Sequence, residues 1–142
     1  MDHNDITVII LLYRTPKKLL KNLTKYKDFK VLILDQSNDL INSKILKIFL
    51  PRIEYYGLTG RNMGFANAQN FLIKKVKTKY FFSTQPDINL SFKSILDLKR
   101  TLVKFRNNCV IAVPKINGIK NIKITSKKEN LNEYKVKDMI GA

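Results

Sequence analysis

The stretch ITVIILLY, residues 6–13, decides the fold of this 142-residue chain. It is a nearly continuous run of apolar side chains, and several of them are β-branched. Such runs are typical of strands in parallel sheets, where helices cover both faces of the strand. We therefore predict that residues 6–13 form the first strand of a parallel sheet.

A helix and a second strand follow directly. Thr15 can cap a helix with Pro16 at its first position. The apolar residues of this helix recur at helical spacing and are Leu19, Leu20, Leu23 and Tyr26. KVLILD, residues 30–35, is the second predicted strand. The three pieces together predict a βαβ unit, because two parallel strands need a crossover between them.

The alternation of helices and strands continues to residue 114. Further strands are predicted at RIEYYGL (residues 52–58), KYFFST (79–84) and CVIAVP (109–114). The predicted buried faces of the helices are Ile41, Ile45, Ile48 and Phe49; then Phe65, Ala68, Leu72 and Val76 in a helix from Asn62; then Phe92, Ile95, Leu96, Leu102 and Val103 in a helix capped by Ser91. This alternation favours an α/β fold, an open and mostly parallel sheet with helices on both faces.

The character of the sequence changes after residue 116. Periodicity is weak there, and NIKIT (residues 121–125) and EYKVK (133–137) are predicted to be short antiparallel strands. We therefore predict an α/β domain at residues 1–116 and the incomplete start of a second region at 117–142. The apolar ending MIGA suggests an interruption of a longer protein.

Composition indicates one main domain with a basic surface. The chain is 44% hydrophobic, which is enough for a core, and 27 Lys and Arg against 11 Asp and Glu give a net charge of +16. This charge favours anionic partners such as nucleotides, nucleic acids or the head groups of an inner membrane leaflet. Nucleic acid is disfavoured because no cluster of aromatic and Arg residues is present to stack bases. An AT-rich genome is an alternative origin for part of the lysine excess.

Several classes of site are excluded or disfavoured. No signal peptide or run long enough to span a bilayer is visible, so we expect a cytoplasmic protein. Cys109 is interpreted as a small buried hydrophobe, and His3 as part of a disordered N-terminal fringe. No zinc spacing, Ser-His-Asp set, GxGxxG motif or P-loop is present.

Polar residues gather after the predicted strands. In open α/β sheets, ligands bind outside the carboxyl ends of the strands, near the N-termini of helices. The residues there are Tyr13 and Arg14; Asp35, Gln36, Ser37, Asn38 and Asp39; Gly60, Arg61, Asn62 and Gly64; and Thr84, Gln85, Pro86, Asp87 and Asn89. We predict that they form a polar binding site.

Two acids are the most informative of these residues. Asp35 and Asp87 each stand at the end of an apolar strand in a chain with few carboxylates. There a carboxylate can ligate a metal or accept hydrogen bonds from a base. The alternative is structural: Asp35 or Asn38 caps the next helix, and Asp87 makes a turn after Pro86.

The order of these motifs resembles a known enzyme family. ITVIILLYRTPKKLLKNL, VLILDQSND, YYGLTGRNMGFANAQNFLIKK, KYFFSTQPDINL and VIAVPKI resemble the nucleotide-sugar-binding half of a family 2 glycosyltransferase with the A-type (GT-A) fold. Within it, rhamnosyltransferase-like members are the most similar, since their fourth strand often ends in Asn-Pro-Asp. The resemblance covers residues 6–116.

The resemblance implies roles for individual residues. The residues that would bind the nucleotide sugar are Tyr13, Arg14, Asp35, Ser37, Arg61, Asn62, Gly64, Asn70 and Asp87. Asp35 would accept a hydrogen bond from the base, and Gly64 would give clearance. Asp87 matches the surviving acid of the Asp-x-Asp motif, which holds Mn²⁺ or Mg²⁺ on the diphosphate. The implied partners are a nucleoside-diphosphate sugar and a glycan or lipid-linked acceptor. The lysine excess separately, and by charge alone, suggests a peripheral contact with an anionic membrane.

The sequence departs from this family at two points. Gln85 stands in place of the first acid of the motif, and the acceptor site with its catalytic base is expected downstream of Ala142. The first hypothesis is therefore an inverting, metal-assisted glycosyltransferase of which this chain is the donor half. The alternative is a non-catalytic nucleotide-binding fragment or a decayed transferase.

Overall fold

A computed structural model describes residues 3–37, 40–57, 62–105, 111–112, 124–127 and 134–136. The chain divides into two compact units, Met1–Ala112 and Val113–Ala142. The strands of the first unit are β1 (Ile6–Leu12), β2 (Lys30–Asp35), β3 (Ile53–Gly57) and β4 (Tyr80–Thr84). Its helices are α1 (Lys17–Leu20), a 3₁₀ helix (Lys21–Tyr26), α2 (Leu40–Phe49), α3 (Phe65–Ile73) and α4 (Phe92–Lys104).

The four strands of the first unit form one parallel sheet in the order β3-β2-β1-β4. All seven residues of β1 are buried, as its apolar run predicted. Leu12 of β1 is paired with Asp35 of β2, and Ile10 is paired with Thr84 of β4. The three strands therefore end close together, and the residues that follow them meet at one edge of the sheet.

Helices cover both faces of this sheet, which confirms the predicted layering. On one face α1, the 3₁₀ helix, α2 and α4 bury Leu20, Leu23, Tyr26, Leu46, Leu50 and Ile95 against the sheet. On the other face α3 buries Ala68 and Leu72 against Ile9, Leu11, Leu32 and Leu34. Burial of whole aliphatic side chains stabilises a fold by about 1.5–3 kcal/mol each, so these two clusters hold the layers together.

Two helices begin later than predicted. Pro16, not Thr15, precedes the first turn of α1, and its backbone is extended. The prediction that Pro16 is the first helical residue is therefore wrong. Beyond Leu20 the chain tightens into the 3₁₀ helix, which still buries the predicted Leu23 and Tyr26. The helix predicted from Asn62 begins at Phe65, because Gly64 has a backbone conformation that no helix contains, with φ 79° and ψ 167°.

The predicted buried face of α2 is only partly right. Ile45 packs against the core as predicted, but Ile41 and Ile48 are exposed. Asn42 and Leu46 are buried instead, together with Leu50 just after the helix.

The buried face of α4 is partly as predicted. Ser91 caps the helix by accepting a hydrogen bond from the Ser94 amide at 3.1 Å, and Ile95 is buried. Phe92 and Val103 are more than one-third exposed. Lys99 is buried instead, because its ammonium pairs with Asp5 at 2.6 Å.

His3 is not the disordered fringe residue that the sequence suggested. Its ring packs edge-on against Phe29 and Phe92, with centroids 5.7 and 5.6 Å away. His3 therefore contributes to an aromatic cluster at the start of α4.

The second unit contains a short hairpin. β5 (Ile124–Lys127) pairs antiparallel with β6 (Tyr134–Val136), which confirms the two predicted strands. Of the predicted strand at residues 109–114, only Ile111 and Ala112 are described, and neither is in a strand. Cys109 lies outside the described residues. In the described part of the chain, no helix has the length and apolar character to cross a bilayer.

Candidate functional site

An open cleft of about 380 Å³ lies at the carboxyl end of the sheet. Its walls come from the ends of β1, β2 and β4, from the start of α1 and from the start of α3. The lining residues are Leu11, Leu12, Tyr13, Thr15, Pro16, Leu19, Gln36, Asn62, Gly64, Phe65, Gln85, Pro86 and Asp87. The cleft thus lies where the sequence placed the ligand site.

The end of β1 carries an exposed aromatic ring and a strained arginine. Tyr13 is 46% exposed, and the Arg14 guanidinium lies 5.3 Å from the centroid of its ring. Arg14 has φ 48°, which is unusual for a residue with a side chain and costs on the order of 1 kcal/mol. Its amide donates to the Ser37 hydroxyl at 3.2 Å. Backbone strain of this kind concentrates at functional sites, so the geometry favours a role for this pair.

Asp35 is fully buried behind the cleft and is held by its neighbours. Its Oδ1 accepts from the Ser37 amide at 2.8 Å and from the Ser37 hydroxyl at 2.5 Å. Its Oδ2 accepts from the Tyr55 hydroxyl at 2.7 Å. Because each carboxylate oxygen has two lone pairs, the group can still accept a hydrogen bond, but only from a ligand that reaches in from the edge.

Gln36 joins the end of β2 to the loop before α3. Its amide donates to the Leu12 carbonyl at 2.9 Å, and its Oε1 accepts from the Met63 amide at 2.8 Å. Asn62 in turn accepts from the Gly64 amide at 2.8 Å. Sequence reasoning named Gln36 among the polar residues but gave it no role. In the structure, the hydrogen bonds of Gln36 connect two walls of the cleft.

Position 64 requires glycine because of its backbone conformation and not because a side chain would lack space. A Cβ on this residue would meet no protein atom within 4 Å, yet its φ of 79° with ψ 167° is a conformation nearly restricted to glycine. This bend turns the chain from the cleft wall into α3.

Asp87 is exposed on a tight turn after β4. The Ile88 amide donates to the Gln85 carbonyl at 3.1 Å, which closes the turn. The alternative interpretation, that Asp87 makes a turn after Pro86, is therefore correct as a description of the backbone. It does not exclude a ligand role, because Asp87 lines the cleft.

The 3₁₀ helix clamps this turn from below. Asn22 Nδ2 donates to the Pro86 carbonyl at 3.2 Å. Lys25 Nζ donates to the Ile88 carbonyl at 2.7 Å and to Asn89 Oδ1 at 3.1 Å. Burial lowers the pKa of the Lys25 ammonium from its usual value. Sequence reasoning missed Asn22 and Lys25, since nothing in their local pattern relates them to a turn so far along the chain.

Among the residues that line the cleft, one carboxylate, that of Asp87, is available to ligate a metal ion. No group of three His, Cys, Asp or Glu side chains that could hold an ion occurs among the described residues. Asn89, which could have been a second ligand, has its side-chain oxygen occupied by the Lys25 ammonium. The site fits Mg²⁺ or Mn²⁺ held by Asp87 together with phosphate oxygens and water, a common arrangement for Mg²⁺.

The structure brings together four of the residues singled out from the sequence: Tyr13, Asn62, Gly64 and Asp87 line one cleft. Asp35 lies beneath this cleft, and Ser37 accepts a hydrogen bond from Arg14 beside it. Asn70 is exposed on α3 and does not belong to the described lining. Arg61 lies outside the described residues, as do Asn38, Asp39 and Gly60.

Solved structures with a similar fold are known. Residues 1–349 of S. aureus TarS in complex with UDP-GlcNAc match with a TM-score of 0.57 and 19% identity, over 71% of this chain and 32% of that chain. The complex of the same TarS fragment with UDP matches with a TM-score of 0.55 and 16% identity, over 71% of this chain and 32% of that chain. The two proteins share a fold. The predicted α/β fold class, an open parallel sheet with helices on both faces, is thereby confirmed, and TarS has the same fold over the matched part.

The similarity to TarS covers only part of that protein and concerns the fold. This chain spans about a third of the length of the TarS fragment, 32%. No protein-family model matches the sequence, and no curated protein is significantly similar to it. The assignments to family 2 and to rhamnosyltransferase-like members therefore stay predictions.

Proposed function

We propose that this chain is the donor-binding part of a glycosyltransferase that uses a nucleoside-diphosphate sugar. The observation that carries the proposal is the cleft at the carboxyl ends of β1, β2 and β4, with Asp87 on its wall. The fold it shares with TarS, which was solved with UDP-GlcNAc and with UDP, supports this reading.

The residues around the cleft suit the parts of such a donor. Tyr13 offers an exposed ring on which a base can stack, and the Arg14 guanidinium beside it can pair with phosphate. Asp35 is fully buried and does not line the cleft, so it would accept a hydrogen bond from the base only after the residues that cover it move aside. Asn62 and Gly64 bring backbone and amide groups of the α3 entrance to the sugar or the diphosphate.

Asp87 would hold a Mn²⁺ or Mg²⁺ ion. When bound, such an ion neutralises the charge that develops on the departing nucleoside diphosphate, which is Lewis-acid assistance to a leaving group. The chain itself contributes a carboxylate at a fixed point. Asn22 and Lys25 hold the backbone carbonyls on either side of Asp87, which lines the cleft.

The proposed transfer is inverting, and its acceptor is a hydroxyl of a glycan or lipid-linked molecule. A base that deprotonates the acceptor is required for this step and contributes about 10²–10⁴-fold to such rates. We place neither the base nor the acceptor site in residues 3–105. A deoxyhexose donor such as a rhamnosyl nucleotide belongs to the same proposal and rests on the sequence resemblance alone.

The second candidate is a nucleotide-binding module that performs no transfer. One observation favours it: Gln85, an amide, stands on the cleft wall where the family has an acid. An amide oxygen is a weaker ligand for a hard cation than a carboxylate is.

Calorimetric titration of the chain with UDP, dTDP and GDP tests the proposal, each with and without Mn²⁺. We expect one nucleotide to bind more tightly when Mn²⁺ is present, and Asp87→Ala to remove that gain. Asp97→Ala is the matched control, because Asp97 is an exposed acid on α4 that pairs with Arg100. If no nucleotide binds, or if both variants keep the gain from Mn²⁺, the site assignment is wrong.

Release of free nucleoside diphosphate from the matching nucleotide sugar separates the two candidates. A transferase domain passes the sugar slowly to water, or faster to an added acceptor, and frees the nucleoside diphosphate as the leaving group. A binding module leaves the donor intact under the same conditions.

A further inference from the structure

Two neighbouring helical segments carry a concentrated positive charge. Lys17–Tyr26, which comprises α1 and the 3₁₀ helix, packs against α2, Leu40–Phe49, on the same face of the sheet. Together they contain lysines 17, 18, 21, 25, 44 and 47 and no Asp or Glu. The nearest acids along the chain, Asp28 and Asp39, lie outside both segments. We call the outer surface of these two segments the basic helical face.

Most of these lysines face solvent. Lys17, Lys18 and Lys21 are exposed, as are Lys44 and Lys47 of α2. Only Lys25 is turned inward, toward the turn that carries Asp87. The charge of the basic helical face is therefore available to a partner.

Apolar side chains stand among these lysines. Ile48 is 78% exposed and Ile41 is 54% exposed, while Leu46 and Leu50 fill the core on the other side of α2. At 100° per residue, Ile41, Lys44 and Ile48 share one outward stripe, since they lie three, four and seven residues apart. Two aliphatic side chains thus project from α2 on the same side as Lys44.

We propose that the basic helical face docks on an anionic lipid bilayer. Lysines at such a surface are attracted by anionic head groups, and aliphatic side chains between them insert at the boundary between head groups and acyl chains. The two features reinforce each other only at a surface that is both anionic and apolar just beneath.

A nucleic acid would use this face less well. The two segments contain no Arg, the residue that pairs most specifically with phosphates and bases. Ile48 would gain nothing from a phosphate backbone. Of the two aromatic residues in these segments, Tyr26 is fully buried and Phe49 is 37% exposed, so no more than one ring is available to stack on a base.

The location of this face has a functional meaning that rests on the proposed transferase activity. Pro16 and Leu19, at the start of α1, also line the cleft. A protein docked through α1 and α2 would therefore hold its donor cleft next to the membrane surface, where a lipid-linked acceptor resides. The docking itself does not depend on that activity.

Vesicle flotation of the whole chain tests the proposal. Vesicles of phosphatidylcholine alone are compared with vesicles that also contain phosphatidylglycerol, at physiological salt. We expect flotation with the anionic vesicles only. Lys44→Gln with Lys47→Gln should weaken partitioning about thirtyfold, since each lysine near such a surface is worth roughly a fivefold gain. Ile48→Ser should weaken it about tenfold through lost insertion.

A matched set of variants on the opposite face controls for net charge. Lys74→Gln with Lys77→Gln removes the same charge beyond the end of α3, and Ile73→Ser changes a 37% exposed isoleucine there. These variants should partition as the unmodified chain does, apart from a small effect of net charge.

Three outcomes would overturn the proposal. One is failure of the unmodified chain to float with anionic vesicles. Another is an equal loss for both lysine pairs, which would show diffuse attraction of a protein with charge +16. The last is unchanged partitioning of the Ile48→Ser variant. It would show that Ile48 does not insert into the bilayer, and that the face binds some other polyanion instead. Circular dichroism of each variant confirms that it is folded, and nucleotide titration reports the cleft separately.

Discussion

Replacing Tyr55 by Phe removes the hydroxyl that donates to Asp35, and the effect depends on how deeply this acceptor is buried. The Tyr55 hydroxyl donates to Asp35 Oδ2 at 2.7 Å, and Asp35 is fully buried. A hydrogen bond to a charged group is worth about 1.5–3 kcal/mol, and its loss leaves part of a buried carboxylate without a partner. We expect Tyr55→Phe to lower the free energy of unfolding by about 2 kcal/mol.

The next residue in the chain provides the control. The Tyr56 hydroxyl donates to Glu54 Oε2 at 2.8 Å, but the Glu54 side chain is 44% exposed and also pairs with Lys30. Water can replace the lost donor there, so Tyr56→Phe should cost about 0.5 kcal/mol or less. The two variants differ by one strand position and by the burial of the acceptor.

Urea unfolding followed by circular dichroism measures both changes. With a slope of about 2 kcal/mol per molar urea for a domain of this size, Tyr55→Phe should move the midpoint down by about 1 M. Tyr56→Phe should move it by less than about 0.3 M at an unchanged slope. Equal shifts for the two variants would refute the reasoning, because burial of Asp35 would then have no energetic consequence.

Other predictions concern the backbone, the clamp and pH. Gly64→Ala should cost about 1–3 kcal/mol in urea unfolding, because φ 79° with ψ 167° excludes a side chain, whereas Gly57→Ala at the end of β3 should be nearly neutral. Arg14→Gly should stabilise the fold by up to about 1 kcal/mol by relieving φ 48°, and should weaken nucleotide binding in calorimetry; a loss of stability would contradict the strain. Lys25→Met should weaken Mn²⁺-dependent nucleotide binding several-fold, while Lys25→Arg retains most of it; equal binding by both would contradict the clamp. The hydrogen bond from Lys30, and to a smaller extent that from Tyr56, lowers the pKa of Glu54, so the contribution of Glu54 to stability should be present above about pH 4.5 and vanish as pH falls through the folded-state pKa; a stability difference from Glu54→Gln that does not decrease as pH falls below about 4.5 would be inconsistent with this.

The layering of the fold could be predicted because the sequence of each strand indicates which of its faces are buried. β1 and β2 are apolar on both sides, a pattern that only a sheet covered on two faces accommodates. The edge on which Tyr13 and Asp87 meet followed from the parallel direction of the strands, since all carboxyl ends lie together. These inferences needed no knowledge of distant contacts.

The buried face of α2 could not be predicted from its period. The helix carries one apolar stripe through Ile41 and Ile48 and another through Leu46 and Leu50, and both have helical spacing. Only packing on the sheet chooses between them, and it selects the leucines. The predicted start of α3 was wrong for another reason, because the sequence does not reveal the backbone angles of Gly64.

The partners within the site were also beyond the sequence. Tyr55 reaches Asp35 from a neighbouring strand, and Lys25 reaches Asn89 from a helix on one face of the sheet. Such contacts depend on register and on the twist of the layers rather than on any local pattern. The polar residues of the cleft were therefore identified by type and position, while the residues that support them were missed.

The strand order has a consequence for the sequence of events in folding. β1 pairs with β2 early along the chain, Thr7 beside Lys30, but its other edge is completed only when Tyr80 pairs with Ile6. Closing so long a segment carries a larger entropic cost and slows the step that depends on it. During synthesis, β1, β2 and β3 can assemble while β4 is still within the ribosome. The nascent chain can therefore form three of the four strands first, and the wall of the cleft that carries Asp87 is added in one late step with β4.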